Sequence, residues 1–372
     1  MQKKDMNILN NTKILFFIGI LFPHFIFAQS EKENALNFNA SYTGDIAGNF
    51  HGGIQTGSAF LGKANLTMNF DTEKAGWWQG GEFFINGMNT HGDEPTATLI
   101  GDFQTASNID AGNHTALYEL WYKQTIGKVR LTIGLQDLNA DYAVSENGGL
   151  FNNSYFGIHS VCSDNIPVPI FPLTGLGVNV HWKITGDYHF QTVIFDGNPG
   201  DFEQNPYNVK WQLNAEDGFL SVSEFHAKKS WIKNRSGAYK IGGYFHNSKE
   251  TGKNYGFYLV ADQEINDRLS LFTQIGFSPK KLNNHDQCYG LGLNYKPFLE
   301  KRPDDLLGFA ANHAIFRNNP AGNESVFELI YHFQVNENVY LRPDIQYIIN
   351  PAGTGKKLPN ALVGILRFGI EF

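Results

Sequence analysis

Residues 360–372 read NALVGILRFGIEF. In an extended chain Leu362, Gly364, Leu366, Phe368, Ile370 and Phe372 fall on one side, and Val363, Ile365, Arg367, Gly369 and Glu371 on the other. An arginine and a glutamate share the second side. A chain terminus usually frays, so a closing strand with an aromatic last residue points to a structural use for that residue. The same period of two governs 129–136, where Val129, Leu131, Ile133 and Leu135 oppose Arg130, Thr132, Gly134 and Gln136, and 178–185, where Val178, Val180, Trp182 and Ile184 oppose Asn179, His181, Lys183 and Thr185. No sustained 3.6-residue apolar period follows residue 36.

About seventeen runs of this kind can be marked, at 36–44, 61–70, 81–89, 115–125, 128–137, 176–185, 188–196, 207–214, 219–226, 237–246, 255–262, 268–277, 288–296, 306–316, 325–335, 338–349 and 361–372. A long alternating sheet suits an all-β transmembrane antiparallel barrel, whose outer face meets lipid and whose lumen is wet. Bacterial single-chain barrels have an even strand number, so one run has to go. The tight turns TIGK (125–128), TGDY (185–188), EINDR (264–268) and VNEN (335–338) fall on one side of the membrane only if a run between 196 and 238 is a loop. Residues 207–214 are that run, and sixteen strands remain. The longest connection, about 138–175, holds NGGLFNNSYFG (147–157) and IPVPIFP (166–172) and is the segment expected to fold inward and narrow the lumen.

Lys3, Lys4 and Lys13 precede the apolar run 14–28, which ends in Ala28 before Gln29 and Ser30. That order is a secretory signal peptide at 1–28, with one barrel domain at 29–372. A run interrupted by Pro23 and His24 is a poor membrane span. Lys plus Arg (29) fall short of Asp plus Glu (36), and a net charge of -7 excludes a nucleic-acid partner needing a basic face. Two cysteines do not make a disulfide framework. Twelve histidines without HExxH or CxxC leave no metal or cofactor motif, and AGTGKK at 352–357 lacks the first glycine and the Ser/Thr of a phosphate loop.

Several segments, in order, resemble the carbohydrate-selective porin, OprB-like, family. They are YTGDIAGNFHGGIQTG from 42, HTALYELWYKQTIGKVRLTIGLQD from 114, VIFDGNP from 193, DGFLSVSEFH from 217, AYKIGGYFHN from 238, and YLRPDIQYIINP from 340. The resemblance implies a sixteen-stranded barrel in the outer membrane of a Gram-negative bacterium. It implies passive diffusion of sugars and other small hydrophilic solutes, and a C-terminal aromatic strand presented to the outer-membrane assembly machinery. Whether the barrel forms a homo-oligomer stays open. Two alternatives of other classes are a barrel enzyme of lipase or protease type, for which no nucleophile and base can be nominated, and a plugged structural or adhesive barrel.

A sugar channel needs hydrogen-bonding groups along a wet wall, since each hydroxyl exchanges water for protein partners. Face parity directs Glu119, Arg130, Asp137, Glu328, Arg342, Asp344 and Arg367 into the lumen, with Trp121 on the face of Glu119 as a platform for a pyranose ring. Arginine offers a rigid fork of donors, and charged groups set ion preference. No catalytic or metal-ligating residue is expected. Ile133 and Leu366 face lipid. Cys288 faces the lumen, where an infolded loop bearing Cys162 could meet it and form a disulfide.

Overall fold

The computed structural model describes residues 34–372 except 233; the proposed signal peptide lies outside the described residues. Sixteen strands form one closed antiparallel barrel in which each strand pairs with its sequence neighbours and the last with the first. They are β1 Leu36–His51, β2 Gly57–Asp71, β3 Gly81–Gly92, β4 His114–Ile126, β5 Val129–Gln136, β6 Gly175–Lys183, β7 Tyr188–Asp196, β8 Phe219–Lys228, β9 Gly237–Ser248, β10 Gly252–Glu264, β11 Leu269–Phe277, β12 His285–Tyr295, β13 Leu306–Phe316, β14 Glu324–Asn336, β15 Val339–Ile349 and β16 Ala361–Glu371. Closure leaves no sheet edge, which a wall in hydrocarbon requires. At the seam Asp45 stands opposite Arg367, and Phe372 and Ala40 exchange backbone hydrogen bonds at 2.8 and 3.2 Å.

The alternation follows the sequence. On β16, Val363, Ile365 and Arg367 are buried inward while Leu362 and Leu366 are exposed outward. Ile133 is likewise exposed at 48 %, Leu291 at 59 % and Ile345 at 55 %, as expected of a lipid-facing surface. Residues 207–214 form no strand. β1 runs past the expected residue 44 to His51, because Gly44, Asp45 and Gly48 blur the apolar pattern without breaking the pairing to β2 and β16. Below, the end of the barrel carrying residues 36 and 372 is called the terminal end, and the other the loop end.

Two connections at the loop end fold into the barrel. Residues 137–174 pack Leu138, Tyr142, Ile158, Val161 and Cys162 against inward residues of β7–β10 and β12, and Phe151 and Phe156 against Phe272, Ala310 and Ile330. The second, 93–113, was not anticipated from the sequence. It packs Leu99, Ile100, Ala106 and Ile109 against Ala47, Leu61, Val326, Ile348, Val363 and Ile365. Burying each large aliphatic or aromatic side chain stabilises docking by about 1.5–3 kcal/mol. Gly276 shows how close the approach is, since a Cβ there would lie 2.9 Å from the Cys288 Sγ and 3.0 Å from the His159 Nδ1.

A third connection, 197–218, stays mostly exposed to solvent. Leu117 N–H donates to the Tyr207 carbonyl at 3.0 Å, and the Asn208 amide donates to the Thr174 hydroxyl at 3.1 Å. This closes the wall where β4 rises above its pairing with the short strand β5.

Candidate functional site

The backbone of an infolded loop carries donors and acceptors that cannot be left dry. Here the wall supplies the partners, sorted by kind. Amide N–H groups go to carboxylates. Glu328 accepts from Asn152 and Asn153 N–H at 2.6 and 3.1 Å, and Asp262 accepts from the Ser145 hydroxyl, Asn147 N–H and the Asn147 side-chain amide at 2.7, 3.1 and 2.9 Å. Glu224 accepts from Ala143 N–H at 2.5 Å and from the Tyr258 hydroxyl at 2.6 Å. Glu324 binds the other loop through Phe103 and Gln104 N–H at 2.8 and 2.9 Å.

Loop carbonyls go to wall amides and amines. Gln274 donates to Phe156 O at 2.7 Å, Asn294 to Asn147 O at 3.0 Å, Gln346 to Ala106 O at 2.8 Å and Lys240 to Val144 O at 2.6 Å. The loops also hold each other, Asn108 N–H donating to Asn152 O at 2.7 Å and Ser154 N–H to Thr105 O at 3.0 Å.

The inner wall is thereby divided. On β8–β15 the inward polar residues Glu224, Asp262, Gln274, Glu328, Asp344 and Gln346 are buried beneath the loops. On β2–β5 the inward residues Lys63, Asn65, Glu82, Phe84, Glu119, Trp121, Lys123 and Arg130 stay half-buried, open to a wet lumen.

The expected site residues separate along this line. Glu119, Trp121 and Arg130 lie on the open side. At β4 a bulge opposite Asn86 and Gly87 turns both Tyr118 and Glu119 inward, and the Trp121 indole donates to Glu119 at 3.3 Å. The Trp121 ring does not stand free: it stacks on Phe84 with centroids 4.8 Å apart, and Lys123 lies 5.1 Å over it while pairing with Glu82. Arg130 lies 3.6 Å from Asp141 of the infolded loop.

Asp137 is not a wall residue. It falls one position past β5, where its carboxylate caps the turn Leu138–Ala140 by accepting from Asn139 N–H at 2.7 Å and also accepts from the Tyr118 hydroxyl. Burial raises its carboxyl above the ordinary range. Arg367 makes a buried bidentate pair with Asp45, both contacts at 2.8 Å, and Ser107 of loop 93–113 donates to the same Asp45 at 2.6 Å. Arg342 lies against Tyr340, 5.2 Å from its ring centroid, and reaches His332 and Asn152. Glu328 and Asp344 face inward as parity requires, but the loop covers them.

Cys162 and Cys288 meet in one buried cluster, yet both are free thiols and the expected bridge is not formed. Packing against Val161, His159 and Gly276 holds the loop there without a bond. Sequence reasoning missed Lys63, Glu82 and Lys123, although each lies at an inward position of its strand. Lys63 stands 5.1 Å over the Phe171 ring of the infolded loop.

A family model described as carbohydrate-selective porin, OprB family, matches residues 55–252 and 247–372. The chain belongs to the carbohydrate-selective porin, OprB family. It is 23% identical to Porin B of Pseudomonas aeruginosa over 91% of this chain and 88% of that protein. To a putative porin, QuiX, of Acinetobacter baylyi it is 24% identical over 92% and 91%. Its fold is similar to the high-pH structure of Pseudomonas putida OprB, with a TM-score of 0.81 at 21% identity over 91% of this chain and 94% of that one. The low-pH structure of the same protein gives 0.63 at 20% identity over 91% and 93%. Family and fold make this chain an outer-membrane porin for sugars, a channel rather than an enzyme.

Proposed function

We propose that sugars and other small hydrophilic solutes cross this OprB-family barrel by passive diffusion along the inner face of β2–β5, between that wall and the infolded loops. The observation that carries the reading is the division of the inner wall. One side is consumed in binding loops, and the other keeps a strip of half-buried polar side chains. In the strip Lys63, Lys123 and Arg130 alternate with Glu82, Glu119 and Asp141, so no single sign dominates and fixed dipoles can exchange with the hydration of a neutral polyol. The Phe84–Trp121 pair gives a flat apolar edge among them. Arg342 and Arg367 are buried against the loops and, like Glu328 and Asp344, act through loop position.

Export by a signal peptide removed after Ala28, and recognition of the strand ending at Phe372 by the assembly machinery, belong to the same reading. The test is sugar-driven swelling of liposomes carrying the purified barrel. Trp121→Ala and Glu119→Gln should each change the relative rates among sugars, whereas Gln287→Ala on β12, away from the strip, should not. Identical sugar ranking in all four proteins refutes the proposed path.

A further inference from the structure

Three histidines share one patch of inner wall near the terminal end. His189 on β7 and His226 on β8 are directly opposed partners. His181 on β6 is diagonal to His189, since Lys183 is the residue opposite His189 and Gln191 the one opposite His181. Directly opposed residues on one face of a sheet have Cβ atoms about 4.5–5.5 Å apart, and diagonal ones stay within reach of long side chains. The rings are close: His181 and His189 have centroids 5.3 Å apart, His189 and His226 6.5 Å. All three are half-buried and inward-facing, and neither His181 nor His189 makes a side-chain hydrogen bond among the described residues.

His226 is oriented differently. Its Nε2 lies 2.6 Å from Glu224 Oε2. The carboxylate accepts, so Nε2 donates and Nδ1 is the nitrogen left to ligate. A carboxylate behind an imidazole is the outer-shell arrangement that fixes tautomer and raises ligand basicity in metal sites.

We propose that His181, His189 and His226 bind a divalent transition-metal ion at the terminal-end mouth of the lumen, with His189 and His226 as the core pair and Glu224 orienting His226. Imidazole nitrogen suits zinc, copper and nickel, and does not suit calcium or magnesium. As the side chains stand, no three ligating groups among the described residues already surround one point. The unbonded rings of His181 and His189 can rotate about χ1 and χ2 toward the His226 Nδ1 at no loss of hydrogen bonds. The surrounding charge is mixed. Lys183 opposite His189, Arg130 opposite His181, Lys240 opposite His226 and Lys228 nearby disfavour a dication, whereas Glu224 and Asp141 favour it. Neutral ligands among more cations than carboxylates point to an affinity far below that of a closed structural site. Bound metal adds positive charge and bulk to the solute path's exit and lowers flux.

The probe is Zn2+, titrated into the purified full-length barrel by calorimetry and, separately, into single channels in a planar bilayer. Wild type should bind with a measurable heat and lose conductance, and EDTA should restore it. His189→Ala should weaken binding about tenfold or more and abolish the conductance change. That ring makes no hydrogen bond, so heat-modifiable mobility should show the variant still folded. His181→Ala should weaken binding less. The proposal is overturned by absence of heat up to about 1 mM Zn2+, or by equal affinity in wild type and a folded His181→Ala/His189→Ala double variant.

Discussion

Asp262 offers the sharpest test of the loop-binding chemistry. Its carboxylate on β10 accepts from the Ser145 hydroxyl, Asn147 N–H and the Asn147 side-chain amide at 2.7 to 3.1 Å, with Glu146 N–H further off at 3.3 Å. The three short contacts share Oδ1 and only Glu146 N–H meets Oδ2, so Asp262→Asn keeps the volume and one accepting oxygen but removes the charge and turns an NH2 group toward Glu146 N–H. A hydrogen bond to a charged group is worth about 1.5–3 kcal/mol, and a buried donor left unpaired costs about 1–3 kcal/mol. Neutralising the acceptor of three charge-assisted contacts at about 1 kcal/mol each puts the cost to the docked loop near 3 kcal/mol. Since 1.4 kcal/mol is tenfold in an equilibrium, the open population of segment 143–149 rises by roughly 100-fold. The barrel itself, held by its ladders, should keep its heat-modifiable mobility. Amide hydrogen exchange of the detergent-solubilised protein reads the effect directly: peptides spanning 143–149 should exchange about 100-fold faster, while β1–β3 peptides hardly change. Single-channel records should become noisier as the loop visits undocked states. Unchanged protection of 143–149, within about threefold, would show that apolar packing alone fixes the loop and that the carboxylate contacts are incidental.

Other expectations follow from the same geometry. Arginine at Ile133 or Leu366, exposed to lipid at 48 % and 42 %, should destabilise folding by about 2–4 kcal/mol near the bilayer midplane; in urea-driven folding into vesicles, Thr67→Arg, facing the open lumen, should cost little. Thr132 is a poor control for this comparison because it is buried. Burial raises the Cys162 thiol well above its ordinary range, so a thiol reagent should label neither cysteine in the folded barrel and both after denaturation without reductant. Burial also raises the Asp102 carboxyl from 3.8 to about 7. Stability from its neutral form is complete below pH about 4 and is lost as pH rises through about 7. Exchange of residues 99–106, corrected for intrinsic base catalysis, should accelerate over that window in wild type and by less in Asp102→Asn, where the Glu324 carboxyl that accepts from Phe103 and Gln104 N–H, itself buried and facing the Asp102 charge, still titrates. His159 has the opposite sign. Burial lowers it to about 3, so its contribution is present above pH about 6.5 and is lost as pH falls toward 3, and His159→Phe should blunt the acid sensitivity of residues 157–163.

The wall was legible because a barrel writes itself in period two. Each strand must alternate between lipid and lumen, so Ile133, Leu291 and Leu366 could be assigned outward from parity alone, and residues 207–214 could be excluded by counting turns. The lumen's contents were less legible. Parity says that Glu328 and Glu119 both face inward, but whether a loop covers them depends on contacts between residues far apart in the chain. Glu328 meets Asn152 across 176 positions. Asp137 was misplaced because the chain leaves the wall at Gln136, one residue earlier than the apolar pattern suggests. Segment 93–113 gave no signal because its packing residues, Leu99, Ile100, Ala106 and Ile109, have neither a helical nor a strand period. The opposed pair His189 and His226 is likewise invisible to motif spacing, since sheet register and not sequence separation brings the rings together.

The sorting of loop partners explains why one half of the wall is socket and the other half path. A carboxylate can accept several N–H groups at once, which is why Glu224, Asp262, Glu324 and Glu328 each receive two or more donors. A side-chain amide reaches a single loop carbonyl with its NH2 and leaves its oxygen over, and Gln274, Asn294 and Asn312 each bury an oxygen with no partner. Those three lie on the consecutive strands β11, β12 and β13. Their donors are committed to Phe156, Asn147 and Tyr155 of the loop, whose carbonyls cannot be satisfied by a carboxylate wall. On β2–β5 the loop touches the strip only at its margin, through Asp137 N–H at Glu119 and the Phe171 ring under Lys63, while Lys123 pairs with Glu82 on the neighbouring strand, contacts a passing hydroxyl can displace without unfolding anything. A substitution on the socket side should therefore act on solute flux only through loop position, and one on the path side should act without it. Measuring exchange of residues 143–158 beside sugar flux in the same variants separates the two: flux changes at Glu119 or Lys123 with unaltered loop protection are what the division of the wall requires.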